Sequence, residues 1–84
     1  MVTKIYKIYG IDGHRQKESF NKSYTITLEN SLVHVLNADH TGSNQYTILS
    51  ITSETESDCI SILDSQLSDG IFENCRTGRI EKIA

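Results

Sequence analysis

The densest set of reactive side chains lies in residues 12–18, between two apolar runs that carry aromatic residues. An imidazole, a guanidinium, an ammonium, an amide and two carboxylates follow one another there. Such groups can bind an anion or transfer a proton. Connections longer than a tight turn are where small domains commonly carry their contacts. We therefore expect an interaction loop that presents polar side chains to a partner. Its expected contact residues are Asp12, His14, Arg15, Gln16 and Lys17.

Motifs for catalysis, metals and cofactors are not matched. A phosphate-binding loop needs glycines that open a helix after a strand, whereas the residues after Gly10 and Gly13 read as extended chain. Residues 37–42 (NADHTG) imitate the first half of a calcium loop, but its twelfth position is Ile48, which offers no carboxylate. We therefore expect no catalytic residue, no cofactor and no metal site, and predict that the protein is not an enzyme.

Length and composition indicate one small ordered domain over residues 1–84. Eleven isoleucines, four tyrosines and no proline are typical of a strand-rich chain. No segment approaches the roughly 20 apolar residues of a membrane span, so no membrane partner is expected. Cys59 and Cys75 are expected to be free thiols in a reducing cytoplasm, although one disulfide is also possible. A homodimer is reasonable because the core is small and a sheet edge would be exposed.

Alternating apolar and polar residues predict four strands in the first part of the chain. The first is apolar on both faces, which suits an internal strand, and the second alternates as a strand with one wet face does. Asn30-Ser31 is the predicted hairpin turn because Asn tolerates a positive φ. The last three strands should form an antiparallel meander. The predicted strands cover residues 2–9, 23–29, 32–37 and 45–52.

A helix is predicted next, over about residues 54–69, since the apolar spacing changes to the helical period. Ser53 and Glu56 form a capping box, and Thr55 with Asp58 offers a second start. Gly70 stands where a helix-ending glycine belongs. A short charged strand over residues 79–83 completes the order β-β-β-β-α-β. The predicted fold is α+β, a mostly antiparallel sheet of four to five strands with one helix packed on one face.

Charge is unevenly distributed along the chain, whose net charge is −3. Residues 1–22 hold five basic and two acidic residues, and residues 23–84 hold three basic and nine acidic ones. The predicted helix should expose a negative face that could oppose a basic surface. Near the N-terminus, Tyr6 and Tyr9 alternate with lysines, as aromatic and basic groups do in single-strand binders. The expected helix contacts are Glu54, Glu56, Asp58 and Asp64.

Together these features favour a non-enzymatic protein–protein interaction module in the cytoplasm. Small size, acidity and the lack of catalytic groups make the chain resemble phage-encoded inhibitors such as anti-CRISPR proteins. That resemblance is one of type and covers no motif, and it implies inhibition of a nucleic-acid-handling complex. The expected partner is a larger protein or a protein–nucleic-acid complex. The alternative is a weak nucleic-acid-binding domain that uses the basic N-terminal strand and the loop at residues 12–18.

Overall fold

The computed structural model of the chain describes residues 1–10, 23–37, 46–73 and 76–84. Within them, five strands and one helix follow in the predicted order β-β-β-β-α-β, which confirms the α+β fold. The elements are β1 (Val2–Tyr9), β2 (Ser23–Leu28), β3 (Ser31–Asn37), β4 (Tyr46–Ser53), α1 (Glu56–Ser68) and β5 (Ile80–Lys82).

All five strands belong to one antiparallel sheet with the order β2-β3-β4-β1-β5. Strands β2, β3 and β4 form the predicted meander. Strand β1 lies inside the sheet, between β4 and β5, as expected for a strand that is apolar on both faces. The short charged strand β5 forms one edge, where charge discourages pairing with other chains.

The hairpin turn between β2 and β3 consists of Glu29 and Asn30, because Leu28 pairs with Ser31. The predicted turn, Asn30-Ser31, was therefore one residue too late. The reason for choosing Asn30 holds, since its φ of +61° lies in the left-handed region that Asn tolerates. Ser31 instead begins β3 as a buried residue.

Helix α1 covers one side of the sheet and packs against β1 and β4. Phe72, just after the helix, is fully buried and closes the core at this end. Cys59 is a free, fully buried thiol on the inner side of α1, while Cys75 lies outside the described residues. The buried apolar core consists of Tyr6, Ile8, Val33, Val35, Leu49, Ile51, Cys59, Leu63 and Phe72.

The helix begins at the second of the two predicted caps. Thr55 is the N-cap, and its hydroxyl accepts a hydrogen bond from the backbone N–H of Asp58 at 3.1 Å. Ser53 was the wrong choice because it remains the last residue of β4. Its buried hydroxyl bonds that of Ser31 at 2.8 Å and so joins β4 to the start of β3.

Gln66 organises the end of the helix. Its backbone carbonyl accepts from Phe72 N–H at 3.1 Å, and its side-chain carbonyl accepts from Ile71 N–H at 3.2 Å. Gly70 follows the C-cap Asp69, as predicted. A Cβ at Gly70 would lie 2.7 Å from the Cα of Gln66, so glycine is needed here for close approach of the backbone.

Candidate functional site

The side of the sheet turned away from α1 is called the open face. Strand β3 illustrates the division, since Val33 and Val35 are fully buried beneath the helix layer while the alternate residues Leu32, His34 and Leu36 are exposed. No described helix or strand covers the open face. A partner could therefore contact the sheet directly on this face of the described chain.

Two aromatic rings and two cations meet on the open face and form what we call the tyrosine cluster: Lys7, Tyr9, Tyr46 and Arg79. The Lys7 ammonium lies 4.9 Å from the centre of the Tyr9 ring and 4.3 Å from that of Tyr46. The Arg79 guanidinium lies 4.3 Å from the centre of the Tyr9 ring. These distances are those of cation–π contacts.

The strand register positions the tyrosine cluster. Tyr9 and Tyr46 are direct partners across β1 and β4, with ring centres 6.4 Å apart, and Lys7 shares the face because it precedes Tyr9 by two residues. Arg79 is held by the backbone, since Tyr9 N–H donates to its carbonyl at 2.9 Å. Gly78 N–H donates to the Tyr9 carbonyl at 2.7 Å, and a Cβ at Gly78 would lie 3.0 Å from that oxygen.

Ion pairs neutralise only part of the positive charge of the tyrosine cluster. No described carboxylate forms an ion pair with Lys7, whereas Arg79 contacts the exposed Glu81 at 3.7 Å. Ammonium, guanidinium and phenol groups can all donate hydrogen bonds to an anion. The cluster can therefore accept a carboxylate or a phosphate of a partner.

Apolar side chains surround this charged centre. Leu36, Ile48 and Lys7 are consecutive register partners across β3, β4 and β1, so the two aliphatic residues lead directly to the cluster. Leu32 and Leu36 are 46% and 43% exposed. Tyrosine and arginine beside exposed aliphatic groups are the composition that protein interfaces favour.

A second, acidic surface lies at the start of α1. A cleft of about 340 Å³ opens between the β2–β3 turn and the helix, and its rim carries the carboxylates of Glu29, Glu54 and Asp58. The hydroxyl groups of Ser31 and Ser53 also line it, and they are already bonded to each other. This surface can accept a basic side chain of a partner.

Glu56 stabilises contacts within the domain and contributes less to this acidic surface. Its carboxylate accepts a hydrogen bond from the Lys82 ammonium at 2.8 Å and lies 3.9 Å from that of Lys4. The hydrogen bond with Lys82, together with the charge of Lys4, lowers the pKa of the Glu56 carboxyl below its usual range. Asp58 and Asp64 remain exposed on the helix, and Glu54 is exposed just before its N-cap.

The tyrosines predicted to work together lie on opposite sides of the sheet. Tyr9 belongs to the tyrosine cluster, whereas Tyr6 is buried in the core with 4% of its surface exposed and cannot contact a partner. Lys4 and Lys7 likewise point to opposite faces, because residues three apart in a strand lie on opposite sides. The loop residues Asp12, His14, Arg15, Gln16 and Lys17 lie outside the described part of the chain, as does most of the calcium-loop imitation at residues 37–42.

Tyr46 and Arg79 were not among the predicted contacts. The sequence did contain an indication for Tyr46. It occupies every second position of its strand together with Ile48, Ser50 and Thr52, on the side opposite the buried residues. Arg79 gave no comparable signal because it lies 70 positions along the chain from Tyr9, the last residue of β1. Only the pairing of β5 with β1 brings the Arg79 side chain to the Tyr9 ring.

Comparison of the chain with protein-family models, curated proteins and solved structures finds no match. Across the described ranges, no three His, Cys, Asp or Glu residues are grouped as metal ligands would be. The helix in the described part of the chain is too short to cross a membrane. What the open face and the acidic cleft can bind is therefore indicated by their own geometry.

Proposed function

We propose that the chain is a non-enzymatic protein-interaction module and that the open face is its main binding surface. The observation that carries the proposal is the tyrosine cluster, in which two cations and two phenols are assembled beside exposed Leu36. Aromatic and arginine side chains dominate the binding energy of many protein interfaces. An exposed sheet face of this composition offers both apolar area and charge to one partner.

The kind of partner follows from the chemistry of the open face. Aliphatic groups flank a centre with net positive charge, so the complementary surface is apolar with a carboxylate opposite Lys7 or Arg79. The Arg79 guanidinium can bind such a carboxylate through two parallel hydrogen bonds. We place this surface on a larger protein or protein–nucleic-acid complex in the cytoplasm, a compartment in which the free thiol of Cys59 would persist.

The exposed carboxylates on α1 and just before it support an inhibitory role. The exposed carboxylates of Glu54, Asp58 and Asp64 carry negative charge, as do the nucleic-acid phosphates that a basic groove normally binds. A module held by its open face could place these carboxylates against such a groove and exclude nucleic acid. We therefore propose inhibition of a nucleic-acid-handling complex, in the manner of a phage-type inhibitor, as the biological role.

Affinity capture with matched variants tests the binding surface. Leu36→Asp and Arg79→Glu alter exposed positions of the open face, while Ser65→Ala changes an exposed helix position outside both proposed surfaces as a control. We expect one partner to be retained by the wild type and the control, and to bind each open-face variant at least about tenfold more weakly. If that partner binds the open-face variants as tightly as the wild type, the open face is not the binding surface.

A second candidate function, weak binding of single-stranded nucleic acid, is favoured by the same tyrosine cluster. Single-strand binders combine cations with aromatic rings on which bases stack. Lys7 already occupies space over both tyrosine rings, however, and the net charge of −3 opposes phosphate binding. These two features favour protein binding over nucleic-acid binding as the function of the open face.

Salt dependence separates the two functions. Fluorescence anisotropy of labelled single-stranded DNA and RNA would be recorded over a range of salt concentrations. Nucleic-acid binding requires an affinity that falls steeply with salt and a slope reduced by about one in Lys7→Gln and Arg79→Gln. If no oligonucleotide binds at low salt while the protein partner is retained, the nucleic-acid function is excluded.

A further inference from the structure

The two edges of the sheet differ in length and charge. Strand β5 is three residues long, carries Glu81 and Lys82, and is flanked by Arg79. Strand β2 is six residues long and has no charged residue and no proline over Ser23–Leu28. Charge, shortness and proline are the features by which sheet edges avoid pairing with other chains. Edge β5 thus carries such features, and β2 carries none of them within Ser23–Leu28.

Some backbone N–H and C=O groups of β2 point away from β3, toward the outer edge of the sheet. Among the described strands, β2 pairs with β3 alone. Leu28 and Ser31 enclose a two-residue turn and therefore form a hydrogen-bonded pair. Hydrogen-bonded and non-hydrogen-bonded pairs alternate along an antiparallel ladder, so every second residue of β2, starting with the neighbour of Leu28, directs its N–H and C=O groups away from β3. Thr25 and Thr27 are these residues, and both side chains are exposed on the open face.

We propose that β2 is the dimerisation edge of this protein, where a second copy of the chain pairs antiparallel through its own β2. If the two-fold axis is perpendicular to the sheet, one residue of β2 must lie opposite the same residue of the other copy. We place the axis at Ile26, which aligns residues 24–28 of the two copies and pairs the exposed threonines with each other. It places Thr25 opposite Thr27 of the other copy, and Tyr24 opposite Leu28.

The β2 sequence is complementary to itself in this register. Both members of each Thr25–Thr27 pair lie on the open face, where the Thr27 hydroxyl can bond that of Thr25, whose Oγ1 also lies 3.1 Å from His34 Nδ1. Ile26 and Leu28 lie on the helix side and are only half-buried in the single chain, so pairing removes more of their apolar surface from water. No like charges oppose each other within β2. These properties allow the β2 edge to pair with a second copy of itself.

The dimer would be a continuous ten-stranded sheet. Its two helices would lie on one side, and its two open faces would adjoin on the other. Both tyrosine clusters would remain accessible, since each lies on β1, β4 and the residue preceding β5 and not on β2. The dimer therefore goes beyond the proposed binding function and does not depend on it.

Sedimentation velocity over a wide concentration range tests the dimer, with charge variants that test its register. Thr25→Lys/Thr27→Lys places lysines opposite each other twice across the axis. We expect its dimer dissociation constant to rise at least about tenfold, because like charges directly opposite destabilise strand pairs. Thr25→Lys/Thr27→Glu places opposite charges in the same positions and should restore dimerisation. Thr3→Lys/Ser50→Lys adds two lysines to the open face away from β2 and should dimerise as the wild type does.

Three results would overturn the proposal. The first is a wild-type chain that stays monomeric at the highest concentration, whether or not it binds a strand from another protein. The second is a lysine pair at residues 25 and 27 that leaves dimerisation unchanged. The third is a lysine–glutamate variant that dimerises no better than the double-lysine variant although both keep the wild-type circular dichroism spectrum.

Discussion

The Lys82 ammonium donates a hydrogen bond to the Glu56 carboxylate at 2.8 Å and thereby joins the edge strand β5 to the first turn of α1. Lys4 of β1 lies 3.9 Å from the same carboxylate. Elements at the two ends of the chain are thus connected to the helix by one acidic residue. The carboxylate also lies at the positive end of the helix dipole, where a negative charge is favourable.

Glu56→Gln should flatten the dependence of stability on acid pH. The hydrogen bond from Lys82 lowers the pKa of Glu56 in the folded chain, so this carboxylate stabilises the fold above its unfolded pKa. That stabilisation is lost as pH falls through the lowered folded pKa. Urea unfolding from neutral to acid pH measures the effect. Asp64→Asn is the control, and an equal flattening in both variants would contradict the role of the ion pair.

Tyr6→Phe should leave stability unchanged or raise it by about 1–2 kcal/mol. The Tyr6 hydroxyl is buried without a hydrogen-bond partner, and an unsatisfied buried polar group costs free energy. Thermal unfolding measures the change, and a loss above about 1 kcal/mol would mean that the hydroxyl has a partner. Burial also raises the pKa of Tyr6, so an absorbance titration of the wild type should show a late-ionising tyrosine that Tyr6→Phe removes.

Thr55→Ala should destabilise the fold by about 1 kcal/mol through loss of the helix cap. Chemical denaturation measures this cost. Ser57→Ala, at an exposed position in the same turn, is the control and should change stability much less. If the two variants are equally stable, Thr55 does not cap the helix.

Ser53→Ala should cost about 1–3 kcal/mol for a different reason, since it leaves the Ser31 hydroxyl buried without its partner. The double variant Ser31→Ala/Ser53→Ala removes both hydroxyls and should recover part of that loss. A double-mutant cycle from unfolding free energies measures the coupling. Additive effects of the two substitutions would show that the hydroxyls do not act as a pair.

Gly70→Ala should destabilise the domain by about 1–3 kcal/mol, because its Cβ would be forced against Gln66 and would displace the bonds that end the helix. Ser68→Ala, an exposed change in the last turn, serves as the comparison. Denaturant midpoints of the two variants test this directly. Equal midpoints would mean that the chain after α1 adjusts without cost.

Local patterns were sufficient to predict the elements of this fold. Alternation placed β1 to β4 within a residue or two, and the change to a helical period placed α1, because each pattern records which side of one element is buried. The apolar residues on both faces of β1 also predicted its internal position. The turn and the helix start were harder, since neighbouring residues offered equivalent signals. Ser53 and Thr55 are both good caps, and the choice depended on Ser31, which is distant in sequence.

Sequence alone therefore determined the element order, the division of each strand into a buried and an exposed side, and the acidic character of the helix surface. Tertiary structure decided which exposed residues act together. Tyr9, Tyr46 and Arg79 are far apart in the chain, and only the strand order places β4 and β5 on either side of β1. The same order left β2 as an uncharged edge. Strand order depends on the packing of the whole core, which no local pattern records.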